Sequence, residues 1–279
     1  MFKRLGQHFL INKNKIRKII EVLELKDGDK VIEIGPGHGE LTSNLKSQIS
    51  NLKIIAIEKD GNLAKFLREK FSEDKNIEII QGDALKEIKN QISKIKMTNQ
   101  KFKIIQNLKI VGNIPYYITG YLFRILGELK NKPELIVLTI QKEVAERAAA
   151  RPPKMNLLAA SAQFWAEPEI IGYVSRKDFK PMPKVNSAII KLRIKNYELG
   201  IKDNYYKLIK VLFKQPRKTI LNNFLATSDK GQATRDKRQE TRDKRREEIV
   251  KKLEKAGVNP QARPQDLSLE QIIKLSTLF

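Results

Sequence analysis

The sequence predicts a doubly wound α/β fold, a seven-stranded and mostly parallel sheet with helices on both faces, followed by a small all-helical domain. Three observations predict it. Short apolar runs alternate with helical periodicities up to about residue 195, a glycine-rich turn follows the first of those runs, and the strand signal stops beyond Lys195. Ile16, Ile19, Ile20 and Leu23 have helical spacing, and Asp27-Gly28-Asp29 ends that helix. Strands follow at Val31–Ile34, Lys53–Ile57 and Ile77–Ile80, with helices expected at Thr42–Ser50 and Asn62–Phe71 between them. Lys86–Lys103 reads as a polar connection to a fourth strand, Ile110–Asn113. Helix Tyr121–Leu129, strand Leu135–Ile140 and helices Val144–Ala150 and Leu157–Trp165 come next. Ile170–Val174 and Ala188–Ile194 bracket a proline-rich loop, and their closeness in sequence suggests an antiparallel hairpin at one sheet edge. The later segments Tyr205–Phe213, Lys218–Leu225, Glu247–Ala256 and Leu269–Leu275 all read as helices. The expected domains are therefore 1–199 and 200–279, the second carrying a basic insert at 230–248.

Composition narrows the function. Of 279 residues, 55 are Lys or Arg and 32 Asp or Glu, a net charge of +23 that favours a polyanionic partner such as nucleic acid. A lysine-rich but merely soluble protein is the plain alternative. The absence of cysteine excludes disulfides, thiolate metal sites and cysteine nucleophiles, and with only His8 and His38 no metal site is expected. Neither a signal peptide nor a membrane span is expected, which makes the cytoplasm the default location. Thr234-Arg235-Asp236-Lys237-Arg238 recurs as Thr241-Arg242-Asp243-Lys244-Arg245. With no apolar residue in this stretch, it reads as a solvated helix or an unstructured insert, RNA-phosphate contact being the other reading.

Glu33-Ile34-Gly35-Pro36-Gly37-His38-Gly39 lies between the first strand and a helix. Glycines there let the backbone turn sharply and approach a ligand. A dinucleotide fingerprint beginning at Gly35 would need Gly or Ala at position 40, where Glu40 would repel a pyrophosphate. The spacing instead fits E-x-G-x-G-x-G, the glycine loop of proteins that bind S-adenosylmethionine, although a plain tight turn has the same form. Glu58, ending the second strand, can accept from both ribose hydroxyls, and Asp83, ending the third, from an adenine amino group. Either carboxylate alone also reads as a helix cap.

Asn113-Ile114-Pro115-Tyr116 ends the fourth strand. An exocyclic adenine amine is a poor nucleophile because its lone pair is delocalised into the ring. Hydrogen-bond acceptors on its two N–H bonds favour the localised form, and Asn113 and the Pro115 carbonyl are the expected pair. Tyr116 can stack on an extruded base, as can Phe179 from the stiff loop Phe179–Ser187; packing in the core is the other use of Phe179.

With these motifs together, the chain resembles the small-subunit ribosomal RNA adenine N6-dimethyltransferases over nearly its whole length. The resemblance rests on Gly6–Leu10, Glu33–Gly39, Glu58, Gly82-Asp83-Ala84, Asn113–Tyr116, Gln141-Lys142-Glu143-Val144, Phe179–Ser187 and Gln215–Thr219. It implies a Rossmann-like class I methyltransferase fold, S-adenosylmethionine as cofactor, and contacts to it from His8, Leu10, Gly35, Glu58, Asp83 and Asn113. It further implies dimethylation of two adjacent adenines in a 3′-terminal hairpin of 16S-type RNA, with the immature small ribosomal subunit as partner. A monomer without metal or membrane partner is expected. Two features depart from the family pattern: His8, where members often carry Asn, and the basic repeat. Two other readings stay open, an erythromycin-resistance-type enzyme acting on large-subunit RNA and a non-catalytic RNA-binding assembly factor.

Overall fold

The computed structural model describes residues 7–95, 104–195, 201–226 and 235–279, except the side chains of 235–241. The chain divides into two compact units, 1–146 with 165–196, and 147–164 with 197–279. In the first unit β1 (Phe9–Leu10) precedes α1 (Lys13–Val22), which Asn12 caps by accepting from Asn14 N and Lys15 N. Then come β2 (Lys30–Ile34), α2 (Glu40–Lys46), β3 (Lys53–Glu58), α3 (Gly61–Lys70), β4 (Ile77–Gln81), α4 (Ala84–Lys94) and β5 (Ile104–Asn113). After these stand α5 (Thr119–Glu128), β6 (Lys132–Gln141) and α6 (Lys142–Ala148). α7 (Leu157–Gln163) leads to β7 (Ala166–Val174), β8 (Phe179–Lys180) and β9 (Ser187–Ile194).

The seven-stranded sheet has the order β4-β3-β2-β5-β6-β9-β7. β2 to β6 run parallel, and β9 is antiparallel to both its neighbours. This is the class I methyltransferase arrangement, and the late hairpin does form one edge. Strand order reverses between β2 and β5, so the carboxyl ends of those two strands open a crevice there.

The helix α4 and the start of β7 escaped the sequence pattern, as did the two-residue strands β1 and β8. The first part of the stretch expected to be a polar connection folds within α4, because Ile88 and Ile92 bury one face and Asp83 caps its start, and residues 96–103 lie outside the described ones. β7 begins at Ala166 and passes through Pro168, which an edge strand tolerates because its outward N–H needs no partner.

The amino-terminal side of the sheet is fastened by charge. The Lys109 ammonium on β5 meets the Asp29 carboxylate before β2 at 2.7 Å, with the two side chains 2% and 1% exposed. Lys109 also donates to the Glu24 carbonyl. The Glu24 carboxylate accepts from Arg193 at 2.6 Å and from Lys191 at 2.5 Å on β9. Those bonds to Arg193 and Lys191 hold the Glu24 carboxyl down at about 2. A buried pair of this kind is weak evidence of net stabilisation, but losing one member strands the other.

The second unit adds α8 (Lys202–Leu212), α9 (Ile220–Leu225), α10 (Arg235–Lys255) and α11 (Leu269–Ser276). Residues 147–164, expected from sequence in the first domain, pack here instead. The reason is apolar: Ala159, Ala160 and Phe164 join the buried cluster of Tyr205, Leu208, Ile220, Leu253 and Ile272. Phe164 stacks on Tyr205 at 4.2 Å, and the Tyr205 hydroxyl donates to the Ala160 carbonyl at 2.9 Å. Arg235–Arg245 of the basic repeat lies within α10, whereas Thr234 and the start of the expected insert, 230–234, lie outside the described residues. Among the described residues, no helix is long and apolar enough to cross a membrane, and no group of three or more acidic or histidine residues could hold a metal ion.

Lys109→Met leaves Asp29 buried and unpaired, so it is expected to cost about 3–5 kcal/mol in urea unfolding. Pairing it with Asp29→Asn is expected to recover most of that loss.

Candidate active site

A cleft lies at the carboxyl edge of the sheet, lined by residues from β1 and from the ends of β2, β3, β4 and β5. His8, Gly35, Glu58, Asp83, Asn113, Pro115, Tyr116 and Phe179 all line it. Leu10 does not. Neighbouring strand residues face opposite ways, and Leu10 enters the core with Ile16 and Ile19, leaving Phe9 to face the cleft. Phe9 packs edge-on to His38 at 4.4 Å and over Gly37, where an added Cβ would stand 2.6 Å from its ring. Gly37 also has φ +61, so two independent constraints require glycine there.

Glu58 is 4% exposed and firmly placed. One oxygen accepts from Gly37 N at 3.1 Å and the other from Asp60 N at 2.9 Å. Burial pushes its carboxyl up, against those backbone bonds, so the glycine loop and the acidic residue form one hydrogen-bonded unit. Asp83 takes the cap role that the sequence offered and adds an ion pair that it did not. One oxygen caps α4 through Leu85 N at 2.9 Å, while the other meets the Lys59 ammonium at 3.1 Å at the cleft wall. Burial raises the Asp83 carboxyl, but Lys59 and the Leu85 N–H outweigh it and leave it below its ordinary value.

The turn after β5 is built by close approach. At Gly112 an added Cβ would lie 2.6 Å from the Ile34 carbonyl, so only glycine lets β5 run this near β2. Asn113 follows, and its side-chain amide donates to the His8 carbonyl at 2.6 Å. That bond engages the nitrogen end and leaves Oδ1 to accept. The Pro115 carbonyl was expected as the second acceptor, but it receives the Ile118 N–H at 3.1 Å and closes the turn. Among the described residues, the adjacent Ile114 carbonyl receives no hydrogen bond, and Ile114 also lines the cleft. A second acceptor is thus available at Ile114, next to Asn113.

The far wall is a strap pinned to a loop. β1 pairs with β8, matching Leu10 to Phe179. The His8 ring binds the Pro181 carbonyl at 2.8 Å; because that oxygen can only accept, Nδ1 carries the proton. The Tyr116 hydroxyl bonds Ser187 Oγ at 2.9 Å, and its ring stands 6.0 Å from that of His8. Phe179 is 4% exposed, so it serves the core and the cleft at once. The sequence reading missed Phe9, Lys59, Ile114 and Tyr117; strand alternation carried the signal for Phe9.

A model of the ribosomal RNA adenine dimethylase family matches residues 2–274. The chain belongs to that family. As a ribosomal RNA adenine dimethylase it is similar to ribosomal RNA small subunit methyltransferase A of Dehalococcoides mccartyi, 35% identical over 96% of this chain and 85% of the relative. It is likewise similar to the Geobacillus protein of the same name, 34% identical over 98% and 90%. Among solved structures, 23S rRNA methyltransferase ErmE superposes with a TM-score of 0.70 at 27% identity, over 97% of this chain and 98% of that one. A Plasmodium falciparum dimethyladenosine transferase superposes at 0.73 with 24% identity, over 96% of each chain, and supports the fold.

The dimethylase family implies S-adenosylmethionine as methyl donor. The cleft fits that nucleoside: the carboxylates of Glu58 and Asp83 can meet hydroxyl and amino groups, Ile57 and Ile114 offer apolar walls, and the ligand has no phosphate for them to repel.

Behind the glycine loop, Glu33 is 1% exposed and accepts from Thr42 Oγ1 at 2.7 Å. Burial is the main force raising its carboxyl to about 7, from an ordinary 4.5. The folded protein therefore holds a proton there that the unfolded chain releases, and stability declines as pH climbs from about 4.5 to about 7. Glu33→Gln is expected to exceed the parent in thermal stability at pH 8, on the order of 2–3 kcal/mol, and to match it near pH 4.

Proposed function

We propose that this dimethylase transfers two methyl groups to N6 of each of two adjacent adenines in the 3′-terminal hairpin of 16S-type ribosomal RNA, acting on the immature small subunit. The observation that carries the reading is the Asn113 amide bound through its nitrogen to the His8 carbonyl, which reserves Oδ1 for an amine donor. The named relatives at 34–35% identity favour the small-subunit target over the large-subunit one of ErmE, at 27%.

In this reading Glu58 accepts from the ribose hydroxyls of the donor, Asp83 accepts from its adenine amino group, and His8 and Gly35 border it. S-adenosylmethionine supplies a methyl already activated on a sulfonium, so no covalent enzyme intermediate is needed. Tyr116 and Phe179 flank the extruded base, and stacking of about 1–3 kcal/mol per base offsets the few kcal/mol of extrusion. Asn113 Oδ1 and the Ile114 carbonyl accept the two N–H bonds, which localises the lone pair and aims it. Neither acceptor is basic enough to keep a proton, so the one lost after transfer passes to water. Positioning thus supplies the acceleration, up to about 7–11 kcal/mol in favourable systems.

Labelled methyl donor offered with separated small subunits, large subunits and DNA tests the assignment. Label is expected as dimethyladenosine in small subunits alone; label in large subunits would select the erythromycin-resistance type, and none anywhere an assembly factor. Asn113→Ala is expected to lower transfer by about 100- to 1000-fold while subunit binding stays within about twofold, because phosphate contacts dominate affinity.

A further inference from the structure

A second groove lies on the same sheet edge, outside the methyl-transfer cleft. It is lined by Gln141, Lys142 and Glu143 at the β6–α6 junction and by Arg176, Lys184 and Asn186 around the proline-rich loop. Its location follows from the register. Asn113 on β5 faces Thr139 on β6, and Gln141, two residues further, faces Ser187 on β9. Ser187 holds the Tyr116 hydroxyl, so the groove begins about two strand spacings, roughly 10 Å, beyond the acceptor turn.

The groove is held rigid. The Asn186 carbonyl accepts from Lys142 N at 3.0 Å while its side chain accepts from Arg176 N at 3.0 Å, tying the two walls together. Asp178 accepts from Ser175 N at 2.9 Å and from the Asn12 amide at 2.7 Å, which fixes the turn bearing Arg176. Charges inside the groove are unevenly used. Glu146 accepts from the Tyr173 hydroxyl at 3.1 Å and lies 3.8 Å from Lys142, whose ammonium sits 4.9 Å over the Tyr173 ring. Among the described residues, the Arg176 guanidinium, the Lys184 ammonium and the Glu143 carboxylate engage no partner. Val185 and Tyr173 stand exposed beside them.

Two unpaired cations on a pre-ordered wall, facing one free carboxylate and an amide, match a ribonucleotide better than a bare anion or an acidic peptide. The cations suit a phosphodiester, and Glu143 and Gln141 suit a base amino group or a 2′-hydroxyl. We propose that this groove holds the nucleotide flanking the target adenine, with Arg176 and Lys184 on its phosphate and Glu143 on its base or ribose. The inference rests on the RNA-methylating reading above and adds to it a strand path, from the cleft past Ser187 to the β6–α6 junction and the loop before β9.

The test compares full-length protein with Arg176→Ala/Lys184→Ala and with Asn186→Ala, using unmethylated small subunits and labelled donor. The double variant is expected to raise KM for subunits about tenfold with kcat within about twofold, and to make the salt dependence of binding shallower by about 1–2 in log–log slope. Affinity for S-adenosylhomocysteine is expected to be unchanged. Asn186→Ala keeps both charges, so KM is expected to rise while the salt slope stays that of the parent. Arg176→Lys/Lys184→Arg is expected to restore most of the double variant's loss, which a merely structural defect would not allow. Parent-like KM and salt slope in the double variant would overturn the groove while leaving the methyltransferase reading intact. A parent protein that methylates no subunit would overturn that reading itself.

Discussion

The close approach of β5 to β2 at Gly112 is the constraint on which the active site depends. β2 carries the glycine loop and β5 the acceptor turn, and the sheet order makes them neighbours where its direction of winding reverses. One added methyl at Gly112 would meet the Ile34 carbonyl and push the strands apart. Because it is absent, Gly35 comes to 3.7 Å from the Asn113 carbonyl, measured from where its Cβ would be. The glycine-loop half and the acceptor-turn half of the cleft are thus continuous backbone surfaces. Two reactants that must meet within van der Waals distance need such a shared wall, since a misplacement of about 1 Å can cost 100-fold in rate.

The strap formed by His8 and β1 adds the orientation that the sheet alone lacks. An asparagine at the end of a strand can turn its amide either way, and only one way presents an acceptor to an amine. The His8 carbonyl selects it by taking the nitrogen end. The same residue's ring is fixed on Pro181, and β1 pairs with β8, so one short segment orients Asn113 and positions Phe179. The same geometry would accept Asn in place of His8. The working contact to Asn113 comes from the backbone, and either side chain can donate to the loop carbonyl.

The sheet was legible in sequence because its strands are continuous apolar runs stopped by glycine or acidic residues, as buried parallel strands must be. The carboxylates were legible for the same reason: Glu58 and Asp83 stand where β3 and β4 stop being apolar. What stayed hidden was set by partners rather than by pattern. The Pro115 carbonyl looked free because proline lacks only its own N–H, and nothing in the tetrapeptide says that Ile118 returns to use the oxygen. Residues 147–164 sit in sequence among the sheet elements and join the helical unit only because Tyr205 and its neighbours supply the apolar surface they need. Leu10 and Phe9 differ in role by strand alternation, yet β1 is two residues long and its partner lies about 170 residues away.

Charge completes the division of labour. The chain carries +23 overall, a field that draws a polyanion to the surface but by itself does nothing to admit it to the cleft. Inside, the carboxylate and ammonium groups that line the cleft are Glu58, Asp83 and the Lys59 that pairs with Asp83. A sulfonium nucleoside is therefore welcomed where a phosphate would be repelled. Two unpaired cations, Arg176 and Lys184, lie beyond Ser187 on the other side of the acceptor turn. Under the proposal above, such a gradient would let the RNA backbone run along the rim while a neutral base enters the cleft.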